Sequence, residues 1–293
     1  INIPIVWSFH DMWPMCGGEH YSDNNRYKLG YDQVPKDENE RGLDLNLFLW
    51  KQKKKFWSYK INHIVCGSKW LKDKTNESVL FKNHKTTIIP PALDLTEWFP
   101  VEKMIAREIL NLPKDKKILL FMSTNGTRDA RKGFKFIKSL NESFFKKNHD
   151  MVVLSIGKES GLKLNNRTIN INKSFNGDSI SLKILYSAAD LLLVPSLMEA
   201  FGQVAIEAAS CGTPSVAFKN TGVEDAINHK ITGYLASYMN QKDFEQGIEW
   251  IFNQLLIDKT FFNKKCVEFV SENFSSRIIA KKYINIYKSI LEN

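Results

Sequence analysis

The chain has 293 residues, of which 43% are hydrophobic and 25% charged, a balance typical of a globular protein of about two domains at roughly 150 residues each. This composition excludes intrinsic disorder as the main state and a small disulfide-stapled scaffold. No apolar run approaches the ~18–20 residues that a membrane-spanning helix needs.

The net charge is +9, and lysine supplies 34 of the 41 basic residues. A lysine surplus of this kind favours anionic ligands or an anionic membrane surface, and it is weak evidence for nucleic acid, which we do not expect as a partner. The four cysteines share no CxxC spacing, so we expect free thiols in a reducing cytoplasm and no zinc site. The chain begins Ile-Asn-Ile-Pro, without an initiator Met or signal peptide, and we interpret it as a piece of a longer protein.

The first hundred residues combine predicted strands and helices with one long loop. An apolar run at 3–8 predicts a buried strand that ends before His10, and the segment 12–35 predicts a long functional or mobile loop. Residues 45–60 interleave aromatic and lysine side chains and predict a basic amphipathic helix. The next predicted elements are a strand, a helix and a strand, at 62–66, 69–78 and 85–89.

From about Val101 strands and helices alternate regularly. The predicted strands are 118–122, 151–156, 168–171, 191–195 and 214–218. The predicted helices are 103–110, 133–145, 181–188, 201–210 and 275–291. Strands separated by ten- to fifteen-residue helices predict right-handed βαβ units and a parallel sheet, so the predicted fold class is α/β.

The segment 190–218 has the most informative chemistry, because a buried strand leads through a turn into a helix. Backbone N–H groups at such a helix start bind phosphate, and Gly202 has no side chain to block them. Glu199 and Glu207 would repel phosphate but accept hydrogen bonds from sugar hydroxyls. Together they predict a nucleotide diphosphate sugar as ligand, with one glutamate for the ribose and one for the sugar. Alternatively, Glu199 only stabilises the helix start and Glu207 is a solvated surface residue.

A second candidate anion site lies at 125–133, again between a strand and a helix. Arg128, Arg131 and Lys132 cluster there. The spacing is not that of a Walker loop, because the lysine precedes the closing glycine, and the chain has no GxGxxG motif. A solvated basic loop is the alternative for this segment, while its place after a parallel strand favours ligand binding.

These residues resemble a known family. Glu199 and Glu207 have seven residues between them, and Glu207 is the first residue of the sequence EAASCGTPSVAF. This pattern closely resembles the donor-site signature of family-4 retaining glycosyltransferases of the GT-B fold. Other segments resemble a bacterial polysaccharide-biosynthesis branch of that family: WSFHDMWPMCGGEHYS (7–22), GLDLNLFLWKQKKKFW (42–57), GSKWL (67–71), IIPPALDLTEWFP (88–100) and ARKGF (130–134). The resemblance covers nearly the whole chain.

The resemblance implies roles for the residues around the predicted helix start. Glu207 would bind the ribose, and Glu199 would accept hydrogen bonds from hydroxyls of the donor sugar. Phe201, Gly202 and Gln203 would place backbone amides near the diphosphate or the sugar.

Roles for cationic residues follow from the same resemblance. Lys132 matches the family's diphosphate-binding lysine. Its partner arginine normally lies several residues earlier, where this chain has Thr127, so Arg128 or Arg131 must substitute. His10 matches a histidine of the N-terminal domain that faces the donor sugar and joins Glu199 as a predicted catalytic residue.

The implied reaction transfers a hexose from a nucleotide diphosphate to a hydroxyl of a glycan or lipid-linked acceptor, with retention of configuration and without a metal or other cofactor. The implied GT-B fold has an intact C-terminal Rossmann-like donor-binding domain at 101–274. Residues 1–100 would be an incomplete N-terminal Rossmann-like, acceptor-side domain, and the helix 275–293 would pack back toward it. We therefore hypothesise a donor-binding fragment that is inactive alone.

Two other functions remain open. One is a GT-B sugar-nucleotide epimerase, which would share the donor domain. The other is a membrane- or nucleic-acid-binding module that uses the basic aromatic stretch 50–57. The ordinary alternative for that stretch is a helix with its aromatic side chains in the core and its lysines in water.

Overall fold

The computed structural model describes residues 3–38, 41–57, 61–123, 129–140, 142–157, 167–171, 175 and 177–292. Its strands are β1 (Val6–Phe9), β2 (His63–Cys66), β3 (Thr86–Ile88), β4 (Lys117–Met122), β5 (Met151–Ile156), β6 (Thr168–Ile171), β7 (Leu191–Val194), β8 (Ser215–Phe218) and β9 (Gly233–Ala236). Its α-helices are α1 (Arg26–Leu29), α2 (Leu45–Phe56), α3 (Lys69–Glu77), α4 (Lys103–Ile109), α5 (Phe134–Lys138), α6 (Glu142–Lys147), α7 (Ser179–Ala188), α8 (Gln203–Ser210), α9 (Gln241–Ile257), α10 (Phe261–Phe274) and α11 (Ser276–Leu291).

The chain forms two compact units, Ile1–Pro91 with Ile279–Asn293 and Ala92–Ile278. The first contains a three-stranded sheet in the order β1-β2-β3, and the second a six-stranded sheet in the order β6-β5-β4-β7-β8-β9. Every neighbouring pair of strands in both sheets is parallel. The predicted α/β class with parallel sheets is confirmed.

In the first unit, the long segment before α2 is irregular but packed. It contains α1 and contributes Met12, Met15 and Tyr31 to the interior, each at most 2% exposed. The Lys53 ammonium on α2 fixes the start of this segment by donating hydrogen bonds to the carbonyl oxygens of Cys16 (3.0 Å) and Gly17 (2.6 Å). The C-terminal part of α11 completes the unit, with Ile279 and Ile286 packed on side chains of β2 and the residue after β3.

In the second unit, the inner strands are buried over most of their length, as their continuous apolar sequences predict. All residues of β5, β7 and β8 are buried. The helix α8 ends at Ser210, and Gly212 follows with a φ of +80°. That left-handed conformation suits the predicted role of this glycine in ending the helix.

A buried ion pair joins helix α4 to the amino-terminal edge of this sheet. The Arg107 guanidinium is 2.7 Å from the Asp190 carboxylate, and its side chain is only 4% exposed. It also donates to the carbonyl oxygens of Ala188 and Lys116, each at 3.0 Å. Asp190 in turn accepts a hydrogen bond from the backbone N–H of Ile118 at 2.7 Å, so one carboxylate connects α4, β4 and β7.

The structure corrects three sequence expectations. The predicted helix 133–145 is divided into α5 and α6, and the Ser139 hydroxyl, which donates to the Lys135 carbonyl at 2.8 Å, lies between them; such a side-chain bond competes with helix continuation. The helix predicted at 45–60 ends at Phe56. Four elements were not predicted: α1, which lies within the predicted loop 12–35, and β9, α9 and α10. Among the described helices, none combines the length and hydrophobicity needed to cross a bilayer.

Candidate functional site

The topology of the six-stranded sheet locates a crevice. The first strand of this unit, β4, lies in the middle, with β5 and β6 on one side and β7, β8 and β9 on the other. The chain therefore changes direction between β4 and β7, and open parallel sheets bind ligands outside the carboxyl ends of the strands at such a switch point. The segments that leave β4 and β7 are the two that sequence analysis singled out.

These two segments touch through their backbones. The Leu197 N–H, after β7, donates to the Arg131 carbonyl, after β4, at 2.7 Å. Gly133 has a φ of +66°, and a Cβ at this position would lie 1.8 Å from the Pro195 carbonyl oxygen. Only glycine allows the two segments to approach this closely.

An ion pair also connects the two segments. The Lys132 Nζ lies 2.6 Å from the Glu199 Oε2, and the two side chains are 30% and 14% exposed. Arg131 pairs instead with the neighbouring Asp129, at 2.6 Å. The structure thus brings together two predicted site residues from different segments. Arg128 lies outside the described residues.

The turn after β7 opens helix α8 through Gly202, which has a φ of +92° and offers no side-chain cap to the first turn of the helix. A Cβ at Gly202 would lie 2.8 Å from a methyl group of Val223, so this close approach also requires glycine. The Gly222 N–H holds the turn by donating to the Glu199 carbonyl at 2.7 Å. Phe201 is 5% exposed and its ring packs on Phe274 at a centroid distance of 5.7 Å, which makes it an anchor of the turn.

Glu207 lies in α8 and is half-buried rather than solvated. The fully buried Tyr186 of α7 donates its hydroxyl hydrogen to Glu207 Oε2 at 2.8 Å. Burial raises the pKa of Glu207 to about 7, and the hydrogen bonds from Tyr186 and Gln203 oppose that rise. A carboxylate has about four acceptor positions, so these two hydrogen bonds orient Glu207 and still leave acceptor capacity for a ligand. Sequence analysis missed Tyr186, since its contact with Glu207 joins two helices.

His10 lies in the first unit, exposed just after the carboxyl end of β1, whereas the other described candidates lie in the second. Its role opposite the donor sugar stays a prediction. Among the residues that the structure describes, no three His, Cys, Asp or Glu side chains are grouped closely enough to hold a metal ion, and all four cysteines are buried free thiols.

Curated proteins are similar to part of this chain. One curated relative, the "Uncharacterized glycosyltransferase MJ1607" of Methanocaldococcus jannaschii, is 29% identical over 204 residues, which cover 65% of this chain and 50% of the relative. A D-inositol 3-phosphate glycosyltransferase of Segniliparus rotundus is 32% identical over 162 residues, covering 52% of this chain and 35% of the relative. The chain thus spans half or less of the length of these relatives.

Solved structures show the same fold. The sucrose-phosphate synthase of Thermosynechococcus elongatus aligns with a TM-score of 0.69 at 22% identity, covering 98% of this chain and 68% of that one. Anabaena Alr3699/HepE in complex with UDP-glucose aligns with a TM-score of 0.66 at 16% identity, covering 98% and 72%. These neighbours are GT-B proteins, so the α/β fold of this chain is of the GT-B class. The family model described as glycosyl transferases group 1 matches residues 102–261, more than half of the chain, and the chain therefore belongs to that family.

Proposed function

We propose that the second unit binds a nucleotide diphosphate sugar in the crevice between the ends of β4 and β7, and that the whole protein transfers the sugar to an acceptor hydroxyl. The observation that carries this proposal is the Lys132–Glu199 ion pair beside the uncapped start of α8. A cation, free backbone amides and carboxylates are the groups that a diphosphate joined to two sugars requires. One structural neighbour was solved with UDP-glucose, which supports this class of ligand.

The proposed roles follow the chemistry of each group. The first-turn amides of α8, opened by Gly202, and the Lys132 ammonium would bind the diphosphate, and Arg131 would stand near them. Glu207 would accept hydrogen bonds from the ribose hydroxyls, and Glu199 from the transferred sugar. Arg128 and the backbone at Phe201 and Gln203 keep the roles that the family resemblance implies.

The ion pair gives donor binding a defined order of events. Without ligand, Glu199 neutralises Lys132. A diphosphate carries more negative charge than one carboxylate, so it would attract the lysine and release the glutamate. The released carboxylate could then accept hydroxyl hydrogens from the sugar. With its side chains 30% and 14% exposed, the pair lies between a surface pair, which contributes on the order of 1 kcal/mol, and a buried pair, which costs more to separate.

Retention of configuration, a hexose as transferred group and a glycan or lipid-linked acceptor are also part of the proposal, and rest on the family resemblance. In the front-face reaction that we propose, the leaving diphosphate accepts the acceptor's proton, so no protein nucleophile is needed. The helix amides and Lys132 would stabilise the charge that develops on the departing diphosphate. His10 would face the donor sugar from the first unit.

We assign donor binding to residues 101–274 and an acceptor-side role to residues 1–100 on the same grounds, with a cytoplasmic location in polysaccharide biosynthesis. A lipid-linked acceptor also implies peripheral contact with an anionic membrane. The fragment hypothesis predicts donor binding by this chain without turnover. Full transfer activity of the 293-residue polypeptide would refute that part.

Calorimetric titration with UDP-, GDP- and ADP-sugars tests the donor assignment. Glu207→Ala should weaken binding of the preferred donor by about 1–3 kcal/mol, because a buried hydroxyl loses its acceptor. Glu249→Ala, which truncates a half-buried helical glutamate of α9, is the matched control and should bind like the wild type. Equal affinities for wild type and Glu207→Ala would refute the ribose assignment.

A further inference from the structure

Helix α2 exposes large apolar side chains that the rest of the chain leaves in water. Leu45, Phe48, Leu49 and Phe56 are between 41% and 66% exposed. Their spacing of 3, 4 and 11 residues from the first places them on one face of a helix with 3.6 residues per turn. We call these four residues the α2 stripe. The exposed Gln52, seven residues after Leu45, lies on the same face. Large apolar side chains gathered on one exposed helix face are typical of an interaction site.

The side of α2 that carries Trp50 and Lys53 is fixed to the body of the first unit, and the stripe lies beside it. Trp50 is fully buried and Lys53 is 4% exposed. The Lys53 ammonium donates to three carbonyl oxygens of the preceding segment and lies 3.9 Å from the centroid of the Trp13 ring. At the start of the helix, Asp44 accepts a hydrogen bond from the backbone N–H of Leu47 at 2.8 Å.

The charged residues of α2 itself are all lysines. Of its four lysines, Lys53 is buried and Lys54 lies 3.2 Å from the Asp32 carboxylate, so Lys51 and Lys55 supply the positive charge beside the stripe. Lys51 and Lys55 are exposed, and their helical positions lie along one flank of the stripe. The Lys55 Nζ lies 5.1 Å from the centroid of the Phe56 ring, at the edge between charge and apolar surface. This arrangement complements an anionic surface.

We propose that α2 docks the protein on an anionic lipid bilayer. The stripe would enter the boundary between headgroups and acyl chains, while Lys51 and Lys55 extend to lipid phosphates, as in other interfacial helices. Two of the four stripe residues are leucines, which cannot stack on bases, so single-stranded nucleic acid is a poorer match. Docking would bring the protein to a lipid-linked acceptor. This biological role of docking rests on the proposed function, whereas binding to the bilayer does not.

Vesicle flotation tests the inference directly. We expect the chain to float with vesicles of phosphatidylcholine and phosphatidylglycerol at low salt, and to float less at high salt or with phosphatidylcholine alone. Phe48→Ser/Leu49→Ser should weaken the interaction about tenfold or more, because it removes apolar area at the interface. Lys51→Gln/Lys55→Gln should also weaken it about tenfold, and should reduce the salt dependence.

A matched control uses exposed apolar residues elsewhere. Leu256 and Ile257 at the end of α9 are 75% and 80% exposed, so Leu256→Ser/Ile257→Ser removes apolar surface of the same kind from the second unit. This variant should float like the wild type. Because the changed side chains of α2 are exposed, all variants should keep the wild-type melting temperature.

Three results would overturn docking on lipid. They are absence of wild-type flotation with anionic vesicles, equal flotation by the stripe variant, and a dimer in light scattering that dissociates in the stripe variant. Donor calorimetry on the same preparations separates the two proposals. If the wild-type chain binds the donor but not the vesicles, only the docking proposal is refuted. If it binds the vesicles but no donor, only the proposed function is refuted.

Discussion

Removal of the Tyr186 hydroxyl should make donor binding strongly dependent on pH. The hydroxyl donates to the Glu207 carboxylate at 2.8 Å inside the second unit. Glu207 accepts ribose hydroxyls fully only when it is ionised, and burial raises its pKa to about 7. Wild-type donor affinity should therefore rise with pH through neutrality. In Tyr186→Phe the ionised form loses a hydrogen bond, so the pKa of Glu207 should rise further.

The size of the change follows from the energy of that bond. A hydrogen bond to a charged group contributes about 1.5–3 kcal/mol, which corresponds to a rise of ~1–2 in the pKa. At a pH of about 7.5, roughly three-quarters of wild-type Glu207 is ionised, and in the variant only about a tenth for a rise of ~1.5. At that pH the variant should bind the donor about eight times more weakly than the wild type does. Two pH units higher, the two affinities should be nearly equal.

The other groups around Glu207 do not titrate in this range. Gln203 is neutral, and burial raises the pKa of Cys211 to about 12. Calorimetry with UDP-glucose across this pH range is the assay, with each variant compared with the wild type at the same pH. The diphosphate diester keeps a constant charge there, and the uracil N3–H, which loses its proton at the alkaline end, then affects wild type and variant alike. Tyr234→Phe is the matched control, because Tyr234 donates to the Asp243 carboxylate at the same 2.8 Å.

Two results would refute this reasoning. An equal loss of affinity at every pH would mean that Tyr186 contributes only packing. An unchanged profile would mean that its hydroxyl does not position an ionised Glu207. The control Tyr234→Phe should reproduce the wild-type pH profile of donor binding.

Three further predictions concern stability, each measured by chemical denaturation. Gly133→Ala should lower the free energy of unfolding by about 3 kcal/mol or more, because its Cβ would overlap a backbone carbonyl. Gly177→Ala, at a φ of +77° in open space, should lower it by only ~1–2 kcal/mol, and equal losses would contradict the steric argument. Asp190→Asn should cost about 3–5 kcal/mol, because it leaves a buried guanidinium unpaired. Glu108→Gln, in an exposed pair, should leave the stability nearly unchanged, and equal losses in the two variants would contradict the role of burial. As the pH rises from 4.5 to about 7, the free energy of unfolding of the wild type should fall by about 3 kcal/mol relative to that of Glu207→Gln, because the Glu207 carboxyl binds its proton more tightly in the folded than in the unfolded chain. Parallel pH profiles of stability for the two proteins would contradict this.

Much of the second unit could be predicted from the sequence, because its buried parallel strands are short continuous apolar runs bounded by turn residues. The strands predicted at 151–156 and 168–171 match β5 and β6 to the residue. The helix α9 was missed although its buried residues Phe244, Ile248, Ile251 and Phe252 have helical spacing. The strand β9 offers a weaker signal, because its four residues begin with a glycine and its place is set by pairing with β8.

The candidate site could be predicted as two segments but not as a set of contacts. Turn chemistry and residue type pointed to both segments after β4 and β7. The ion pair between Lys132 and Glu199 joins residues 67 positions apart, and the Tyr186–Glu207 bond joins residues 21 apart. Neither separation is fixed by a local period, because both depend on how strands and helices pack. The raised pKa of Glu207 follows from the same packing.

Helix α2 shows most clearly why the amino-acid composition of a helix does not predict which of its faces is buried. Both faces of this helix carry lysines and aromatic residues, so the ordinary alternative placed every aromatic ring in the core. Instead Lys53 points inward with Trp50, because carbonyl oxygens of the preceding segment replace water around its ammonium. With those two positions inward, rotation of 100° per residue turns Phe48 and Lys55 outward, and Leu49 and Phe56 lie at the side, four residues before and three residues after Lys53. A single buried ammonium, held by a contact 37 residues away along the chain, thus decides which face of α2 meets the solvent.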